Sequence, residues 1–230
     1  MGSDAGQPGQ DDERPVHDVE VDAFECAVYP VTREEYTEFL ATTGHDEPRD
    51  WRTSRSVRPT LDRSDLVGRA DLEARHLPVT GVSWLDAQAF CAWRSDLGDP
   101  MRLPTEAQWE RAARGGLPGA LYAWGNEIPA WMPDGGRGPL DAPWPVTFGE
   151  PNGFGVFGIG ANIHEWCADW HAADYYATSA RRNPAGPSSG VRRASRGGAW
   201  RHAMTVSRCA QRSKLDPSFR YTDYGFRVVR

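Results

Sequence analysis

Three of the six histidines stand among residues that could do chemistry. His164 and His171 lie close together in the stretch Asn162-Ile163-His164-Glu165-Trp166 and just beyond it, and His202 follows Gly198-Ala199-Trp200. Glu165 and Asp169 offer a carboxylate beside the first two. Two histidines and one carboxylate leave coordination positions open on a metal, a set that suits Fe(II) and O2 chemistry. Spacing alone does not show that these side chains converge. Taken singly, each is as well explained as an ordinary satisfied polar residue. His17, His45 and His76 lie in polar early segments and read as surface residues.

Other catalytic signatures are missing from the sequence. There is no phosphate-binding P-loop and no His-Glu-x-x-His helix. The glycines at Gly153 and Gly155 come too late in the chain for a dinucleotide fingerprint. Cys26, Cys91, Cys167 and Cys209 show no Cys-x-x-Cys spacing. Reduced thiols are the expectation, with two disulfides as the alternative.

These groups need a scaffold, and composition bounds it. With 230 residues, 39% hydrophobic and 25% charged, the chain can bury a sizeable core. A net charge of −6 argues against a general nucleic-acid binder. The basic residues are arginines apart from Lys214, and arginine favours bidentate pairing and stacking on rings. Ten tryptophans, 24 glycines and 18 prolines point to irregular loops held by large aromatic side chains. No window is apolar enough to span a bilayer, so no membrane partner is expected. Met1 to Glu13 lacks the apolar run of a signal peptide, and a cytoplasmic location is the expectation.

Residues 1–14 read as a flexible tail and residues 15–230 as one domain. Val16 to Val21 alternates like a first strand. Thr32 with Glu35, Ser83 with Asp86, and Thr105 with Gln108 each form a capping box and open a helix. Gly44, Gly98 and Gly115-Gly116 close them. Residues 45–80 read as loop. Beyond residue 117 short aromatic runs alternate with Gly, Pro and Asn, and Tyr224 to Val229 has strand composition. Helices early and irregular strands late give an α+β domain.

Eight motifs in order carry a resemblance. They are Tyr29-Pro30-Val31-Thr32, Pro78-Val79-Thr80-Gly81-Val82-Ser83-Trp84, Arg102-Leu103-Pro104-Thr105-Glu106-Ala107-Gln108-Trp109-Glu110, Trp124-Gly125-Asn126, Asn152-Gly153-Phe154-Gly155, Asn162-Ile163-His164-Glu165-Trp166, Arg196-Gly197-Gly198-Ala199-Trp200 and Gly225-Phe226-Arg227. Over residues 29–227 the chain resembles the formylglycine-generating-enzyme-like (sulfatase-modifying factor) family. The resemblance implies a single, irregular C-type-lectin-like α+β domain.

It also implies chemistry, with departures. Enzymes of that family use copper and O2 to oxidise a cysteine of a client sulfatase, and two cysteines hold the copper. Here His202 occupies the first position; the second falls at Ser207 counted forward, or in a short deletion counted back from Arg208, and Cys209 matches a later cysteine that is structural in some relatives. The family's calcium site implies Glu165 as ligand with the carbonyls of Ala161 and Ile163, but Gly158 replaces an Asn ligand. A buried arginine is the other reading of Glu165. In the related sulfoxide synthases the iron histidines lie on an N-terminal bundle, which the residues before Val16 are too few to build. The resemblance therefore suggests a metal-dependent, O2-using oxidoreductase with possible Fe(II) or Cu and possible Ca²⁺. His202, Trp200 and Arg212 would be catalytic, with His164 and His171 as further metal ligands. Trp166, Arg201 and Cys209 would face a peptide or amino-acid-derived substrate. The alternative is a ligand-binding module displaying Trp200 to Tyr224, or an accessory subunit.

Overall fold

In the computed structural model, residues 1–49, 51, 75–132 and 142–230 are described. Each of the three longer helices starts on its capping box. Thr32 Oγ1 accepts from the Glu35 N–H at 3.2 Å while the Glu35 carboxylate accepts from the Thr32 N–H at 2.8 Å, opening α1 (Arg33–Thr43). Ser83 and Asp86 do the same for α2 (Trp84–Asp96), and Thr105 and Gln108 for α3 (Glu106–Arg114). These reciprocal bonds satisfy N–H groups that a helix start leaves without partners. Gly44 and Gly115 end α1 and α3 in the left-handed conformation.

Four short strands follow: β1 (His164–Trp170), β2 (Arg193–Arg196), β3 (Arg212–Leu215) and β4 (Tyr224–Gly225). They form one sheet in the order β3-β2-β1-β4. β1 pairs antiparallel with β2 and parallel with β4, where His164 stands opposite Tyr224. The segment expected to be strand up to Val229 is paired as β4 only at Tyr224–Gly225, with isolated bridges from Val229 to Cys26 and to Arg102. Val16 to Val21 is not a strand. Among the described residues it makes a single bridge, Glu20 to Arg182. Most of the expected loop at 45–80 lies outside the described residues.

The core joins the helices to the sheet. Tyr36 and Phe39 of α1, Phe90 and Trp93 of α2, Trp166 of β1 and Phe226 pack as one buried cluster. Arginines fasten α3 to the strands. Arg196 bonds Glu106 at 3.3 Å and Glu110 at 2.6 Å, and Arg212 bonds Glu106 at 2.8 Å. Arg227 grips Glu165 with two bonds of 2.6 and 2.8 Å. Such pairs are retained when both partners are buried and bonded, since an unpaired buried charge is costly.

The N-terminal residues are packed rather than free. The Gly2 N–H donates to Glu110 at 3.0 Å, and Asp12 meets His171 and Lys214. Glu13 is fully buried against Arg208 at 2.6 Å. The polar composition that suggested a solvated tail is matched by charges about two hundred residues away.

Candidate metal centre

Three elements bring His164, His202 and Asp223 together. His164 opens β1, and its main-chain N–H donates to the Asp223 carbonyl at 3.0 Å, just before β4. His202 sits on the turn after the Gly197-Gly198 pair, where its N–H donates to the Ala199 carbonyl at 2.8 Å. That turn is held to the strand because the Trp200 N–H donates to the Asn162 carbonyl at 3.0 Å. Gly198 is needed here, since a Cβ would lie 2.5 Å from Ser207 Oγ.

The donor atoms of these three side chains lie within 4.8 Å of one another. His164 Nε2 is 2.9 Å from His202 Nδ1. His202 Nε2 is 3.4 Å from Asp223 Oδ2. The His164 ring stacks on Tyr224 at 4.5 Å. Burial, then the nearby His202, lowers the His164 pKa to about 3, against an opposing contribution from the Gly197 backbone. The imidazole is therefore neutral near pH 7, the form that ligates a metal. His202 is the open side of the cluster at 38% side-chain exposure, against 11% for Asp223.

The two imidazoles have the spacing of metal ligands. Two nitrogens each about 2.1 Å from one metal, at a right angle, lie about 3.0 Å apart. The two facing imidazole nitrogens already stand 2.9 Å apart. A borderline metal such as Fe(II) suits two imidazoles and a carboxylate. His202 points one ring nitrogen at each neighbour, so joint ligation with Asp223 calls for a small shift of the aspartate or the ring. A copper dithiolate does not fit. His202 stands at the first expected position, neither reading of the second supplies a thiol, and Cys209 is a free, buried thiol in an apolar cluster.

The other expected site residues are placed as follows. Trp200 is buried behind His202 in a cluster with Trp144, Ala161, Ile163 and Ala199. Arg201 is exposed at the rim and donates to Thr222 Oγ1 at 2.9 Å. Trp166 is fully buried, donates to the Val82 carbonyl at 3.0 Å and packs behind Tyr224, so it is not open to a substrate. Arg212 is buried on Glu106, Asp12 and Ala172, and is a brace rather than a neighbour of His202. His171 bonds Asp12 at 3.2 Å and does not join His164. Cys209 is buried away from any substrate, and that burial pushes its thiol up to about 12. Glu165 is committed to Arg227 and to Trp109 Nε1 at 2.7 Å, so the calcium-like site with Ala161 and Ile163 lacks its carboxylate.

Asp223 went unnoticed in the sequence. Its signal was its place immediately before the Tyr224-Gly225-Phe226-Arg227 run, which pairs with the His164 strand. The stretch expected as a display surface is also interrupted, since Ser207 to Arg212 are buried.

Residues 1–230 match the sulfatase-modifying factor enzyme 1-like domain. The chain is 35% identical over 228 residues to serine/threonine-protein kinase pkn1 of Chlamydia pneumoniae, covering 96% of this chain but 35% of that protein. It is 34% identical over 271 residues to the formylglycine-generating enzyme of Streptomyces coelicolor, covering 95% of this chain and 82% of the relative. Among solved structures, PvdO from Pseudomonas aeruginosa superposes with a TM-score of 0.79 at 25% identity, covering 100% of this chain and 89% of that one. Treponema denticola variable protein 1 shares the fold, with a TM-score of 0.72 at 24% identity over 92% of this chain and 85% of that one. The chain belongs to the formylglycine-generating-enzyme-like, or sulfatase-modifying factor, family.

Proposed function

We propose that this protein is a metal-dependent oxidoreductase that uses O2 on a peptide or amino-acid-derived substrate, with the metal held by His164, His202 and Asp223. The observation that carries the reading is the convergence of two imidazoles and one carboxylate on a partly open cluster. Fe(II) in that setting supplies one-electron chemistry toward O2.

The chain's own residues supply position and access. Burial and the Tyr224 stack fix the His164 ring. The buried Trp200, whose main-chain N–H is bonded to the Asn162 carbonyl, anchors the turn that carries His202. Arg201 stands at the open rim, where its guanidinium suits a carboxylate or a peptide carbonyl. Membership of a family that includes formylglycine-generating enzymes supports oxidative chemistry on a peptide. The absent dithiolate separates this protein from their copper centre.

Oxygen uptake by Fe(II)-loaded wild type and His202→Ala tests the reading. Uptake that rises with added peptide or amino-acid pools and depends on His202 is the expected result. Equal uptake by both proteins, or none in wild type with any pool, would sink it.

A further inference from the structure

The aromatic cluster behind Trp200 continues away from His202 into a second feature. Trp124, Trp131, Trp144 and Phe148 line a cavity of about 20 Å³ with Glu150 and Asn152. The rings enclose it rather than stack across it. Trp131 meets Trp124 at 6.0 Å and 79°, and Phe148 at 6.2 Å and 83°. Phe148 reaches Trp144 at 5.2 Å. Trp131 can close this wall only because residue 149 is glycine, with φ of +82° and a hypothetical Cβ 2.7 Å from the indole.

The polar groups define what the cavity accepts. The indole nitrogens of Trp124 and Trp144 are buried and without a partner among the described residues, so the wall presents ring carbon rather than N–H. Asn152 is spent on backbone groups of Ala112, Ala113, Phe154 and Val156. Glu150 is exposed and makes no ion pair or hydrogen bond among the described residues. It is the one carboxylate lining the cavity. Aromatic faces beside an uncompensated carboxylate attract a cation. A space of this size holds about one water-sized group, which matches an ammonium head on a thin alkyl chain.

We infer that this cavity binds a primary ammonium group, carried either by a lysine side chain or by a free alkylamine. The inference is independent of the metal reading, since the cavity shares no residue with the His164 cluster. The test is a titration of the intact protein followed by its tryptophan indole N–H signals in NMR. The probes are n-butylammonium and N-acetyl-lysine methylamide, each against its neutral counterpart, 1-butanol and N-acetyl-norleucine methylamide.

The two ammonium probes should shift the Trp124, Trp131 and Trp144 signals, and the neutral ones should not. Binding should weaken about three- to fivefold in Glu150→Gln and in Phe148→Leu, both changes at exposed side chains that leave the core intact. A response to the lysine derivative alone points to a peptide source, and a response to both points to free amines as well. The inference is overturned if neutral and charged probes bind alike, if neither ammonium probe shifts the signals, or if both variants bind as wild type does.

Discussion

The main-chain N–H of His164 donates to the carbonyl of Asp223 at 3.0 Å, so two residues 59 positions apart are fixed beside each other by backbone alone. The third member, His202, is set from the other side through the Trp200 bond to Asn162. A site built this way tolerates loss of a side chain without loss of its frame. That property makes substitutions of the three residues informative about function.

The Glu165–Arg227 pair is structural, and its removal separates it from calcium binding. Glu165→Gln leaves Arg227 buried with no charge partner, which should cost about 3–5 kcal/mol in urea unfolding. Adding calcium or a calcium chelator should leave the wild-type melting temperature unchanged. A calcium-dependent shift that vanishes in Glu165→Gln would show that the carboxylate serves a cation after all.

The buried Asp169 gives the protein a pH dependence with a definite sign. Burial, then the neighbouring Glu106, pushes its pKa from 3.8 up to about 8. A carboxyl whose folded pKa is raised favours folding most below its unfolded pKa. That contribution is lost as pH climbs from about 3.8 through 8. Wild type should therefore lose stability between mildly acidic and alkaline pH more steeply than Asp169→Asn, whose side-chain oxygen can still accept the Glu106 N–H. Parallel profiles for the two proteins would contradict this.

The N-terminal segment is part of the folded unit. Glu13→Gln removes the charge that faces Arg208 at 2.6 and 2.8 Å in a buried pair. A loss of about 3 kcal/mol or more is expected. Amide exchange at Gly2 and Ser3 should be slowed in wild type, because their N–H groups bond Glu110 and the Glu13 carbonyl. Free-chain exchange at both positions, with a stable Glu13→Gln variant, would show an unanchored tail.

Local chemistry was legible in the sequence and distant pairing was not. The capping boxes at Thr32, Ser83 and Thr105 involve residues three apart, so type and spacing identified three helices. His164 and His202 were identified from motifs, but Asp223 was not, because only the parallel pairing of β4 with β1 brings it to them. Arg212 was expected at the site as a basic neighbour of the metal position that the resemblance implied. Its bidentate fit to Glu106, 106 residues earlier, draws it into the core instead. The same blindness to long-range charge made Asp12 and Glu13 look solvated.

The central claim is tested most directly by elemental analysis for Fe, Cu, Zn, Mn and Ca. Wild type, His202→Ala and Asp223→Asn would be prepared without chelator or metal-affinity tag, before and after anaerobic Fe(II) reconstitution, with urea stability measured alongside. The account predicts near-stoichiometric iron in wild type and its loss in both variants at little change in stability. A wild type that holds no transition metal even after reconstitution, or metal that survives both substitutions, would contradict it.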